Sequence, residues 1–141
     1  MGLLEKIFRR TPKRNKEEGS SLERYWKSFC HAVDGMIYCL KYEHNMVIIL
    51  TCATIVTICG FLFKISEAEW LFVITMFGTI SASEYMNSAI EAAIDLETSE
   101  ILPLAKVSKD VASSATLVLC ITSVVGGLII FIPKVIEFIG G

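Results

Sequence analysis

Several motifs of soluble nucleotide-handling proteins are missing from this 141-residue chain: there is no Walker A loop, no GxGxxG loop and no HRD or DFG triplet. Neither a P-loop fold nor the protein-kinase fold is therefore encoded. The five cysteines, Cys30, Cys39, Cys52, Cys59 and Cys120, form no CxxC pair. That argues against metal or redox work and leaves small, soft apolar fillers as their reading. A long charged segment precedes the first apolar run, so no secretory signal is expected. Net charge is only −2, and no nucleic-acid partner is expected.

What is present is apolar surface in excess. Hydrophobic residues make up 53% of the chain, and mean hydropathy is +0.57, against about 45–50% apolar in ordinary globular domains. The excess falls into three blocks, Met46–Phe63, Trp70–Ile94 and Val111–Pro133. Each reaches the roughly 17–25 residues needed to cross a bilayer. A buried core could imitate one such block but hardly three. The reading is an all-α integral membrane protein with spans at about 46–64, 70–94 and 111–132.

Charge sets the orientation. Nine of the thirteen Lys and Arg precede residue 46, which places the N-terminus in the cytoplasm by the positive-inside rule. The Lys64–Glu69 turn then lies outside and an Asp95–Asp110 loop inside, with Lys106 and Lys109 on it. The expected location is the plasma membrane, crossed several times. Residues 1–21 have the composition of a flexible charged tail. Residues 22–42 differ: Leu22, Trp26, Phe29, Val33, Met36, Ile37 and Leu40 recur at three- and four-residue steps. That pattern predicts an amphipathic helix lying in the membrane interface.

The second block carries the chemistry. Glu84, Asn87, Glu91 and Asp95 follow one another at i, i+3, i+7 and i+11, which stacks them in one helical column. A carboxylate in hydrocarbon costs about 3 kcal/mol even on lenient insertion scales. The column therefore calls for a compensating cation, proton or metal. Glu43, where the surface helix meets the first span, and the Lys106–Asp110 run bring further charge to the same membrane face. Glu43 and Glu91 are hard oxygen donors suited to Mg²⁺ with substrate phosphates completing its shell. Lys109 suits a phosphate in transfer, and Glu84 could take a proton from an alcohol arriving from the lipid. Composition alone leaves a proton or ion pathway equally open, since buried acids serve those too. Gly78, Ala82, Ala89 and Ala93 read as close helix packing, and Trp70 reads as an interfacial aromatic.

Glu84-x-x-Asn87-x-Ala89-Ile90-Glu91-x-x-x-Asp95, followed by Lys109-Asp110, resembles the signature of the small prokaryotic lipid kinases, the diacylglycerol and undecaprenol kinases. The likeness runs from about Arg24 to Pro133 and includes Gly35 and the Glu43-x-Asn45 pair. It implies three transmembrane helices with an N-terminal surface helix, assembled as a homotrimer with sites between subunits. It also implies ATP and Mg²⁺, with phosphoryl transfer to a lipid alcohol. Carried over, Glu84 becomes the catalytic base and Asn87 supports the phosphates or the base, while Glu43 and Glu91 take the metal. Lys109, Asp110, Arg24 and Asp95 serve the nucleotide, and Ser113 stands on the substrate side. The resemblance favours undecaprenol over diacylglycerol as acceptor.

Overall fold

A computed structural model describes residues 20–97 and 102–141. All regular structure among them is helical: α1 (Ser21–Tyr42), α2 (His44–Leu62), α3 (Glu67–Glu97) and α4 (Pro103–Gly140). The expected charged tail lies almost wholly outside the described residues. The chain divides into two compact units at Gly35 and Met36.

In the first unit, Ser20 Oγ accepts from Glu23 N at 3.3 Å, and the Lys27–Glu23 pair spans 3.3 Å one turn on. Trp26 and Phe29 stack with centroids 5.8 Å apart, while Leu22, Tyr25 and Trp26 are exposed. A helix that leaves its aromatics bare has the form of an interfacial helix.

In the second unit α2, α3 and α4 run up, down and up. A short turn at Phe63–Ser66 joins α2 to α3, with Lys64 at φ 51°, a left-handed conformation that L-residues adopt at some cost. Helices α3 and α4 pack closely along their length, whereas α2 touches α3 more sparsely. Gly126 of α4 allows that closeness: a Cβ there would stand 2.1 Å from the Phe72 ring. Gly78, Ala82, Ala89 and Ala93 instead face outward in the single chain. Among the described residues the close small-residue contacts within the chain are thus at Gly60 of α2 and Gly126 of α4 rather than on α3.

Helices α2 and α4 are long and apolar enough to cross a membrane, with mean hydropathy of 2.2 and 2.6. Helix α3 has 31 residues, about 46 Å at 1.5 Å per residue, but its polar column keeps it below that hydropathy. The largest departure from the sequence reading is α4. The Lys106–Asp110 run was expected on a loop with the span beginning at 111, yet α4 starts at Pro103 and continues to Gly140 through Pro133. Pro103 sits at the first helical position, where its missing N–H costs nothing and its fixed φ favours the helix. Pro133 removes one backbone bond, which apolar helices tolerate when neighbouring helices pack around them.

Candidate functional site

The site forms where the start of α2 meets the middle of α3. Glu84 is 1% exposed and Asn87 5%; both face inward between the helices. Asn45, in the first turn of α2, donates from Nδ2 to Glu84 Oε1 at 2.9 Å. That bond fixes the depth of the acid. Glu84 lies level with the N-terminal end of α2, and the remainder of α3 continues about 20 Å beyond it. Glu91 and Asp95, about 10 and 16 Å further along the helix axis, therefore lie past the end of α2. The column thus starts beside the first turn of α2 and runs on beyond it.

The two acids find amide partners. No cation reaches Glu84 or Glu91 among the described residues. Instead Asn87 Nδ2 donates to Glu91 Oε1 at 3.0 Å, as Asn45 does to Glu84. A hydrogen bond to a charged group contributes about 1.5–3 kcal/mol. Two amides thus hold one oxygen of each acid. Asn87 Oδ1 is buried without a partner, an acceptor left over beside Glu91.

Further down the hairpin the lysines find other partners. Lys109 Nζ pairs with Asp95 Oδ1 at 2.5 Å, bridging α4 to α3. Lys106 pairs with Asp110 Oδ2 at 2.8 Å within one turn of α4. Both pairs are largely exposed, so solvent screens them and they open at little cost. Asp110 raises the Lys106 amine above its ordinary value, first through their hydrogen bond and then through its charge. Helix α4 brings Lys109, Asp110 and Ser113 onto adjoining turns, because what was expected as loop is helix.

Glu43 stands half-buried at the α1–α2 junction, and among the described residues its side chain has no hydrogen bond or ion pair. It and Glu84 are both near the Cys39 thiol. Burial pushes that thiol up, the Ser88 hydroxyl opposes the shift, and the two carboxylates add to it. Cys39 is buried at 7% exposure, and a raised thiol carries little thiolate. Arg24 belongs to the first unit, where its Nη2 donates to Ser21 Oγ at 3.2 Å.

Between α2 and α4 a cavity of about 250 Å³ opens onto Glu84, lined by Asn45, Ile48, Ile49, Ser113, Thr116, Leu117 and Cys120. Asn45, Glu84, Ser113 and Thr116 make its polar part; the isoleucines, Leu117 and Cys120 are apolar. Ser83 Oγ and Thr116 Oγ1 lie 3.0 Å apart across α3 and α4. Neither Ser83 nor Thr116 stands out in the sequence, because a hydroxyl in an apolar helix usually bonds back to its own helix, as Thr51 and Thr122 do here. Asn45 was visible only as part of the Glu43-x-Asn45 pattern. Its cross-helix bond requires the α2–α3 packing.

The metal reading rests on two carboxylates. Among the described residues no three of His, Cys, Asp and Glu gather as a metal cluster. Mg²⁺ commonly takes only one or two protein carboxylates beside substrate phosphates, so Glu43 and Glu91 with the unpartnered Asn87 Oδ1 fit its hard-oxygen preference.

Comparison with known proteins bears on the whole constellation. The profile of the prokaryotic diacylglycerol kinase family matches residues 30–131. An undecaprenol kinase of Bacillus subtilis (strain 168) is 38% identical over 120 residues, covering 85% of this chain and 98% of that relative. The match takes in Glu43, the α3 column and the Lys109-Asp110 pair, and the chain belongs to the prokaryotic diacylglycerol kinase family and is a lipid kinase.

Proposed function

We propose that this lipid kinase transfers the γ-phosphoryl group of ATP to undecaprenol, giving undecaprenyl phosphate and ADP at the cytoplasmic face of the plasma membrane. The observation that carries the reading is the buried Glu84 carboxylate lining a cavity that Ile48, Ile49 and Leu117 also line. A long prenol needs one acid to receive its proton and an apolar bed for its chain.

In this reading Glu84 Oε2 takes the hydroxyl proton while the alcohol oxygen bonds to the γ-phosphorus and the bridging oxygen leaves with ADP. Ser113 and Thr116 flank the alcohol. Lys109 leaves Asp95 to meet the triphosphate, with Asp110 and Arg24 as further nucleotide contacts, and Asn87 orients Glu91. Glu43 and Glu91 would hold Mg²⁺, which when bound neutralises triphosphate charge. Electrostatic positioning of this kind is where phosphoryl transfer gains most of its rate.

The reading also gives the chain three membrane spans, α2, α3 and α4, with the N-terminus inside and α1 on the surface, residues 22–141 forming one lipid-kinase domain. Assembly as a homotrimer is part of the reading. The outward Gly78, Ala82, Ala89 and Ala93 leave room for close approach of a neighbouring helix. The deciding experiment is transfer of labelled γ-phosphate from ATP, with Mg²⁺ in micelles, to undecaprenol and to diacylglycerol in parallel. Labelling of undecaprenol is the expected result. Labelling of diacylglycerol alone replaces the acceptor, and labelling of neither from folded protein overturns the site.

A further inference from the structure

The Glu84 carboxylate has one hydrogen-bond partner among the described residues, and that partner is on another helix. Asn45 Nδ2 reaches Oε1 at 2.9 Å across 39 positions of sequence, and the two side chains line the same cavity. A glutamate's terminal torsion is broad and roughly two-fold, so an untethered carboxylate would present either oxygen in many planes. A donor on Oε1 removes that freedom. It leaves Oε2, which has no hydrogen-bond partner among the described residues, as the oxygen available to a bound alcohol.

We propose that Asn45 is a positioning residue for phosphoryl transfer, its amide holding the Glu84 carboxylate so that Oε2 meets the acceptor hydroxyl. The inference rests on reading Glu84 as the base, and it explains why an amide stands there. A lysine at position 45 would hold the carboxylate as an ion pair and compete with the hydroxyl proton for it. A neutral donor orients Glu84 and leaves its basicity to the alcohol. Asn87 does not duplicate the role, since its Nδ2 is committed to Glu91.

A purely structural tie between α2 and α3 is the competing account, because those helices touch only sparsely. The two accounts separate in kinetics. The test measures kcat, KM for ATP and KM for undecaprenol on the full chain in micelles, alongside the thermal midpoint of the same preparations. General-base catalysis contributes about 10²–10⁴-fold, so losing its orientation in Asn45→Ala is expected to lower kcat by about 10–100-fold. Both KM values should stay within about twofold, because substrate binding does not depend on the amide. Asn45→Asp, near-isosteric but without a donor, should lose at least as much and carries the test if the alanine variant does not fold. Asn45→Gln keeps the donor and should recover part of the rate.

Asn45→Ala with kcat within about threefold of the parent would overturn the proposal, since a lost orienting bond should show a larger effect. So would equal losses in Asn45→Ala, Asn45→Asp and Asn45→Gln that follow the fall in thermal midpoint. Glu84→Gln separates this failure from that of the site reading. Full activity in Glu84→Gln removes the base and this inference with it. An inactive Glu84→Gln beside an intact Asn45→Ala removes the positioning role alone. If Asn45 acts through Glu84, adding Asn45→Ala to Glu84→Gln lowers kcat no further.

Discussion

The two ends of the α3–α4 hairpin are built for different ends. At the end closed by the Phe63–Ser66 turn, the outer one in the proposed topology, the polar groups at the start of α3 are matched. Ser66 N and Oγ donate to Glu69 Oε2 at 2.6 and 2.8 Å, Glu69 N returns a bond to Ser66 Oγ, and Lys134 adds an ion pair at 3.3 Å. That is a capping box, with Ser66 before the helix and Glu69 at its third residue. Around it Phe63 lies edge-on to Phe131 and Phe138, Trp70 tilts against Phe61, and the Phe72 ring fills the space over Gly126. At the inner end the accounts are left open. Ser81 Oγ and Asn87 Oδ1 are buried without partners, Glu84 has a single donor, and a cavity takes the place of aromatic packing. Stability is concentrated at one end and unsatisfied capacity at the other. Unmet hydrogen-bonding capacity beside a cavity is what a site needs for its substrate, because groups already satisfied by the protein offer nothing to a ligand.

The contrast can be broken from either end. The largest effect belongs to Glu84→Gln, which should cost about 10²–10⁴-fold in kinase activity while leaving the thermal midpoint near that of the parent; activity assay and calorimetry on one preparation decide it. Next is Lys109→Ala, expected to lower kcat/KM for ATP by about 10²–10³-fold, the usual cost of removing one phosphate-facing donor. Asp95→Asn, which only releases Lys109, should fall far short of that. An outer-end change should behave in the opposite way. Gly126→Leu forces a side chain into the Phe72 ring and should cost about 1–3 kcal/mol of stability by overpacking, read as a lower thermal midpoint with kcat per folded molecule unchanged. Thr116→Val, at the cavity wall, removes one hydroxyl and should raise KM for the lipid alcohol by about 2–10-fold, the value of one ordinary hydrogen bond.

The smallest effect depends on pH. The backbone bond from Ser66 holds the Glu69 carboxyl below its ordinary 4.5, helped by the Ser66 hydroxyl and by Lys134. A carboxyl whose folded value is depressed stabilises the fold above its unfolded value, and the benefit fades as pH falls through the folded one. Glu69→Gln should therefore lower the thermal midpoint slightly at neutral pH, with the difference closing in acid below the ordinary carboxylate range. A difference that persists there would assign Glu69 to packing and not to charge.

How far the sequence carried can be judged residue by residue. The spacing of Glu84, Asn87, Glu91 and Asp95 put them on one helix face, and α3 carries them so, because helical periodicity is local. A helix was legible at 22–42 and is observed at Ser21–Tyr42, since an aromatic stripe at three- and four-residue steps needs no neighbour to define it. Lys106–Asp110 were read as loop because charges seemed to stop the apolar run. Pro103 at the first position and good helix formers behind it extend α4 instead.

The order of apolar blocks, the acid column and the family likeness were thus determined by the sequence alone, all of them properties of residues near one another along the chain. The pairing of Asn45 with Glu84, of Ser83 with Thr116 and of Asp95 with Lys109 was decided by the tertiary structure. So were the depth of the acids and the cavity between α2 and α4. Each depends on the offset between antiparallel helices, set by how Phe72 seats over Gly126 and Trp70 over Gly60. No single segment encodes that offset.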